Sequence, residues 1–179
     1  IMADAQGELY DGDQLLYLIA RHRSRSAPVS GVAGTLMSNL GLEHALARLH
    51  IPLARAKVGD RYVLELLQER GWLFGGENSG HIICLDRHTT GDGIIAALQV
   101  LAALRASGET LSEACADLRL YPQKLVNVRL PAGFDWARDA AIAAAVRAAE
   151  TTLGKSGRVL LRPSGTEPLL RVMVEGEDG

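Results

Sequence analysis

Leu53-Ala54-Arg55-Ala56-Lys57-Val58-Gly59-Asp60-Arg61-Tyr62-Val63-Leu64-Glu65-Leu66-Leu67-Gln68-Glu69-Arg70-Gly71-Trp72-Leu73-Phe74 is the stretch on which the fold turns. Leu53 to Val58 reads as a short strand. Asp60 to Arg70 carries Val63, Leu66 and Leu67 on one side at helical spacing. Gly71 suits the position just past a helix end, where a left-handed residue is needed. Trp72 to Phe74 is strand-like again. A strand, a helix and a strand in that order make the repeating unit of an α/β layer with largely parallel pairing.

The same alternation extends both ways. Upstream, Val29 to Met37 leans towards strand, and Asn39 to His50 spaces Leu42, Leu46 and Leu49 as a helix. Downstream, His81 to Leu85 is a strand after a glycine-rich turn. Gly93 to Ala106 is a strongly apolar helix stopped at Gly108, and Ser112 to Leu118 is a further short helix. Tyr121-Pro122 marks a boundary. Beyond it, Lys124–Leu130, Arg158–Arg162 and Leu169–Glu175 read as strands and Trp136–Leu153 as an alanine-rich helix. The fold class expected is therefore α/β, a mixed or parallel layer domain followed by a small α+β C-terminal domain. At the other end, a strand end and a turn at Gln6-Gly7-Glu8 lead into a helix opened by Asp11-Gly12-Asp13. Arg21 to Pro28 reads as a polar, basic hinge. A chain starting in a strand end suggests that a portion precedes Ile1.

The 179 residues suffice for one large domain or two small ones. A hydrophobic content of 47% with 22% charge belongs to a globular protein rather than a disordered one. The net charge of −2 supplies no whole-molecule attraction for nucleic acid or an anionic membrane. Arg21, Arg23 and Arg25 lack interleaved aromatics, which favours a solvated hinge over a nucleic-acid contact. No stretch approaches the roughly 20 apolar residues of a membrane span. Cys84 and Cys115 have neither CxxC nor Cys/His spacing, so reduced thiols and a cytoplasmic location are expected.

Three segments carry chemistry. In Arg162-Pro163-Ser164-Gly165-Thr166-Glu167-Pro168 the two prolines hold the residues before them extended. Between them, hydroxyls and closely spaced N–H groups can form an anion nest, with Arg162 and Arg171 able to grip phosphate oxygens in a fork. A polar hairpin flanked by surface arginines is the plain alternative. In Gly75-Gly76-Glu77-Asn78-Ser79-Gly80-His81, Glu77 and Ser79 face one way if the backbone is extended. A carboxylate and a hydroxyl so placed match adjacent sugar hydroxyls, although a glycine-rich hairpin explains the residues as well. Third, Lys57-Val58-Gly59-Asp60-Arg61 joins strand to helix, with Asp60 suited to an N-cap. Thr90 or Asp92 caps the apolar helix that follows.

RPSGTEPLLRVMVEG closely resembles the C-terminal phosphate-binding loop of the α-D-phosphohexomutase family. The Glu-Asn-Ser-Gly-His and VGDRYV segments resemble that family's sugar-binding and substrate-proximal loops, in their phosphoglucosamine form. The resemblance implies that Arg162, Ser164, Gly165, Thr166 and Arg171 hold the non-reacting phosphate of a hexose phosphate, and that Glu77 and Ser79 contact the sugar. Lys57, Asp60, Arg61 and His81 follow as second-tier candidates, while Glu167 would orient an arginine. It implies three parts: residues 1–25 as the end of a preceding domain, 26–118 as the sugar-binding domain and 119–179 as the phosphate-binding domain. The activity implied for the whole protein interconverts glucosamine 6-phosphate and glucosamine 1-phosphate through a phosphoserine and a bisphosphorylated sugar. Serine and the Mg2+ loop would both lie upstream of Ile1, leaving this chain with no catalytic residue, no metal and no turnover of its own. Asp11-Gly12-Asp13 then reads as a helix cap. A phosphomannomutase or phosphoglucomutase, and a non-catalytic phosphosugar-binding module, remain open. The partner expected is a small hexosamine phosphate, with neither nucleic acid nor membrane, and a homodimer is left open.

Overall fold

The computed structural model describes residues 1–131, 133–164 and 167–177. They divide into two compact units, Ile1–Leu120 and Tyr121–Gly179.

In the first unit a two-stranded ribbon, β1 (Met2–Ala3) and β2 (Leu9–Tyr10), leads into helix α1 (Gly12–Ser24). Asp11 caps α1 in a capping box with Gln14, each side chain satisfying the other residue's backbone N–H. The chain continues through β3 (Val32–Thr35), α2 (Leu40–Arg48), β4 (Leu53–Ala56), α3 (Asp60–Arg70), β5 (Phe74–Gly76), β6 (Ile82–Cys84), α4 (Gly93–Ser107) and α5 (Leu111–Cys115).

Strand order is β4-β3-β5-β6, with β3 parallel to both neighbours and β6 antiparallel to β5. The chain moves from β3 to β4 on one side, then crosses back to β5 on the other. Successive side chains of β3 accordingly enter different cores. Val32 packs with Leu42 and Leu46 of α2 and with α1, α4 and α5, whereas Ala33 packs with Val63 and Leu67 of α3. The result is helix, sheet and helix in three layers, with β3 at the point where the strand order reverses.

Arg21–Ser24, read as hinge from the sequence, form the last turn of α1. Leu15, Leu16, Tyr17, Leu18, Ile19 and Ala20 place that helix in the larger core. The arginines stay at its rim because each finds a carboxylate. Arg21 and Arg25 reach Glu109, and Arg23 reaches Asp86 while lying over the Phe74 ring. Asp60 is also not the N-cap of α3. Gly59 takes that place at φ 129°, which favours glycine, and among the described residues the Asp60 side chain accepts only from the adjacent Arg61 N–H. Asp92, not Thr90, caps α4.

Both cysteines are buried and free, and burial pushes the Cys115 thiol up to about 12 and raises Cys84. A thiol held neutral in this way is unreactive.

Gly75 permits the close parallel approach of β5 to β3, where a Cβ would lie 2.3 Å from the Ala33 carbonyl oxygen. Gly75→Ala is expected to destabilise the chain by about 1–3 kcal/mol, since the backbone carbonyl cannot swing aside. A urea titration followed by far-ultraviolet circular dichroism measures this, and an unchanged midpoint would contradict it.

The second unit is a three-stranded antiparallel sheet in the order β7-β9-β8, formed by β7 (Gln123–Arg129), β8 (Gly157–Pro163) and β9 (Leu169–Gly176). Helix α6 (Ala140–Leu153) packs on β8. The single helix expected over Trp136–Leu153 is instead a 3-10 turn, Trp136–Arg138, followed by α6. Asp139 divides them because its side chain accepts from the Ile142 N–H and its backbone is extended.

Candidate functional site

In the first unit the candidate residues collect where the three parallel strands end. Chain leaving β4 forms Lys57 to Gly59, and chain leaving β5 forms Glu77 to Gly80, on either side of the central β3. Crevices outside the carboxyl ends of strands at such a reversal are where open α/β sheets bind ligands.

The two loops are joined by one bond, in which Glu77 Oε2 accepts from the Gly59 N–H at 3.0 Å. Glu77 is only 9% exposed, so its carboxylate is part of the architecture, and among the described residues only its Oε2 is bonded. Ser79 and His81 are exposed at the loop, with Ser79 Oγ 3.5 Å from His81 Nδ1. The loop closes as a tight hairpin, Glu77 N–H donating to His81 O and Gly80 N–H to Glu77 O. Lys57 is exposed, its Nζ 5.7 Å from the Tyr62 ring centre. Arg61 lies outside this grouping because its guanidinium pairs with Glu65 one helical turn along.

Sequence reasoning missed the floor of the loop. The Gly12 N–H donates to Asn78 O at 2.9 Å, which sets the start of α1 directly against the glycine-rich hairpin. The capping pattern of Asp11 and Gln14 was readable, but nothing in it said what α1 would touch. Nor was the buried polar cluster behind it visible. Asp13 Oδ2 accepts from the Asn39 N–H at 2.7 Å, and Thr35, Ser38 and Asn39 are buried with it. Asp13 Oδ1 has no partner among the described residues, and burial drives the carboxyl up to about 7 against the lowering influence of the Asn39 and Ser38 hydrogen bonds. Asp11 and Asp13 are thus committed to a cap and a buried bond. Among the described residues no group of three or more acidic, histidine or cysteine side chains could hold a metal ion.

In the second unit the register puts Asn127, Arg171 and Arg162 directly beside one another across β7, β9 and β8. Side chains so aligned share one face of the sheet. Two rows and four residues further along β9, Glu175 is fully buried and bonded to Gln123 and Arg158. Arg158 therefore has its counter-charge. Arg162 and Arg171 have none among the described residues, and each holds a buried, unpartnered Nε. Burial, and then the neighbouring Arg171, lower the Arg162 guanidinium from its ordinary value. Ser164, just past the end of β8, adds a buried Oγ with no partner among the described residues, while its N–H is held by Leu169 O. Gly165 and Thr166, expected to complete this nest, lie outside the described residues. Glu167 is exposed and its backbone carbonyl accepts from the Leu169 N–H, with no arginine bonded to its side chain among the described residues.

Residues 11–121 match the alpha/beta/alpha domain III of phosphoglucomutase/phosphomannomutase, and residues 125–179 match the C-terminal domain of the same family. The chain belongs to the phosphoglucomutase/phosphomannomutase family. Among the curated members it is similar to, the phosphoglucosamine mutase of Azoarcus sp. is 71% identical over 99% of this chain. That of Dechloromonas aromatica is 71% identical over the same share. The chain spans about 40% of the length of these relatives. Of solved structures, Aspergillus fumigatus N-acetylphosphoglucosamine mutase, in complex with GlcNAc-6P and magnesium, superposes with a TM-score of 0.80 at 22% identity. The match covers 99% of this chain and 46% of that one, and so bears out the expected fold class.

Proposed function

We propose that this chain is the sugar- and phosphate-binding part of a phosphoglucosamine mutase, a protein that interconverts glucosamine 6-phosphate and glucosamine 1-phosphate. The observation that carries the reading is the pair of arginines facing each other on β8 and β9 with no counter-charge among the described residues, Ser164 following two residues after Arg162. Half-buried guanidinium groups placed opposite one another repel, and an anion between them turns that cost into two charge-assisted bonds. Phosphate fits the fork. Its binding is assigned to Arg162, Ser164, Gly165, Thr166 and Arg171, and that of the sugar to Glu77 and Ser79. The names of the 71%-identical relatives favour glucosamine over glucose or mannose.

In this reading the first unit orients the hexose through Glu77 Oε1 and Ser79, and the second holds whichever phosphate is not reacting. Phosphoryl transfer depends on positioning and charge stabilisation, and magnesium in the whole protein would neutralise the charge that develops. Its ligands are assigned outside this chain, because Asp11 and Asp13 are occupied elsewhere. A cytoplasmic location is part of the same proposal.

Titrating the isotopically labelled chain with glucosamine 6-phosphate should shift amides in Glu77–His81 and along β8 and β9. Inorganic phosphate should shift only the latter. Glu77→Ala is expected to weaken the sugar phosphate about tenfold or more and leave inorganic phosphate unaffected, because it removes a buried hydrogen-bonding group. Equal responses to glucose and mannose phosphates would favour the phosphomannomutase or phosphoglucomutase alternative. Absence of any response to phosphate at β8 and β9 would overturn the assignment.

A further inference from the structure

We infer that Gly12, sixty-odd residues away in sequence, is a positioning residue for the Glu77–Gly80 loop, and that any side chain there would displace Glu77 from Gly59. The inference rests on the sugar-binding role proposed for that loop, but its geometry stands apart from it.

Helix α1 cannot yield. Its residues 15–20 are all in the core, and its first turn is tied by the Asp11–Gln14 capping box. The hairpin above it is equally tied, by the Gly12 N–H to Asn78 O bond from below and by its own bonds to His81 O and Glu77 O. A Cβ on Gly12 would stand 2.0 Å from Glu77 O, 2.7 Å from Gly80 N and 3.0 Å from the Asn78 carbonyl carbon. All three are backbone atoms, so no rotamer change relieves the contact. Bringing even the nearest pair to ordinary van der Waals distance moves the loop by more than about 1 Å.

The bond from Gly59 to Glu77 Oε2 is 3.0 Å long and cannot follow such a shift without breaking. Gly12 therefore governs a third element, the Lys57–Gly59 loop, which it does not touch. Sites that align a substrate lose about a hundredfold when a positioning group moves by about 1 Å.

The test is hydrogen exchange and ligand titration on the full chain carrying Gly12→Ala. Exchange at the Gly59 amide should accelerate about tenfold or more, while amides in α3 beyond the first turn keep their protection. Binding of glucosamine 1-phosphate should weaken at least tenfold, with inorganic phosphate unchanged. Should Gly12→Ala fail to fold, Asp11→Ala loosens the same first turn without adding an atom, and a smaller change in the same direction is expected. Unchanged Gly59 exchange in a folded variant would overturn the inference. Accelerated exchange with no glucosamine 1-phosphate binding by the wild-type chain would keep the positioning role and remove the sugar reading.

Discussion

Replacing Arg171 by alanine is expected to make the chain more stable in anion-free buffer and less stable in saturating phosphate. The reversal follows from the register of the second unit. Arg171 faces Arg162 across the β8–β9 pair, and neither guanidinium has a counter-charge among the described residues. Like charges directly opposite on a sheet cost a few tenths of a kcal/mol to about 1 kcal/mol, and the alanine variant is relieved of that cost. Phosphate bound between the two arginines, as proposed, would stabilise the folded wild type by mass action. Losing one charge-assisted partner, and leaving the other with an unmatched anion, weakens phosphate by about 2–3 kcal/mol, or roughly a hundredfold.

Thermal melts with and without phosphate measure both halves. A variant whose melting temperature still rises with phosphate as the wild type's does would remove Arg171 from the site. Arg171→Lys should fall between, since an ammonium keeps the charge and loses the fork.

The second large effect concerns pH. Asp13 is buried, with one oxygen bonded to the Asn39 N–H and the other unpartnered among the described residues, and its carboxyl stands at about 7. Burial is the main cause. The nearby Asp11 carboxylate adds to it, while the Asn39 and Ser38 hydrogen bonds and Arg55 act against it. The folded value lies above the unfolded one, so the folded chain binds the proton more tightly.

Below the unfolded value, near 3.8, the group is protonated in both states and costs nothing. Stability then falls as the pH rises to about 7 and levels off beyond it. The full span corresponds to about 4 kcal/mol at most. Asp13→Asn keeps a carbonyl to accept from Asn39 and cannot ionise. It should be more stable than the wild type at pH 8, by up to a few kcal/mol, and should lose the decline between about pH 4 and 7. Urea titrations across that range decide it, and parallel curves for the two proteins would show that the carboxyl titrates normally.

Asp13 illustrates why the site was only partly legible. In the sequence, Asp11-Gly12-Asp13 is two carboxylates opening a helix, and a cap is the correct reading for the first of them. The second is turned inwards by a helix whose amphipathic face was visible, but its neighbours at Thr35, Ser38 and Asn39 come from 22–26 residues away and only the packing of α1 on the β3 end brings them there. Arg21 and Arg23 read as solvated hinge because Glu109 and Asp86, which neutralise them, are remote in the chain.

The opposite holds for elements set by local rules. Asp60–Arg70 ended at Gly71 as expected, because a left-handed residue past a helix end is a property of adjacent residues.

By itself the sequence determined the order of strands and helices and the boundary near Tyr121-Pro122, and it singled out Arg162–Arg171 as the segment proposed to grip phosphate. Periodicity, turn residues and backbone restriction by proline act over a few neighbours and need no fold to be read. The tertiary structure alone decided three matters. It made α1 part of the first unit's core, set Gly12 beneath the Glu77 loop with Gly59 beside it, and put Arg171 opposite Arg162 with no counter-charge among the described residues. Each depends on strand order and register, which arise from long-range pairing that no short stretch of the chain encodes.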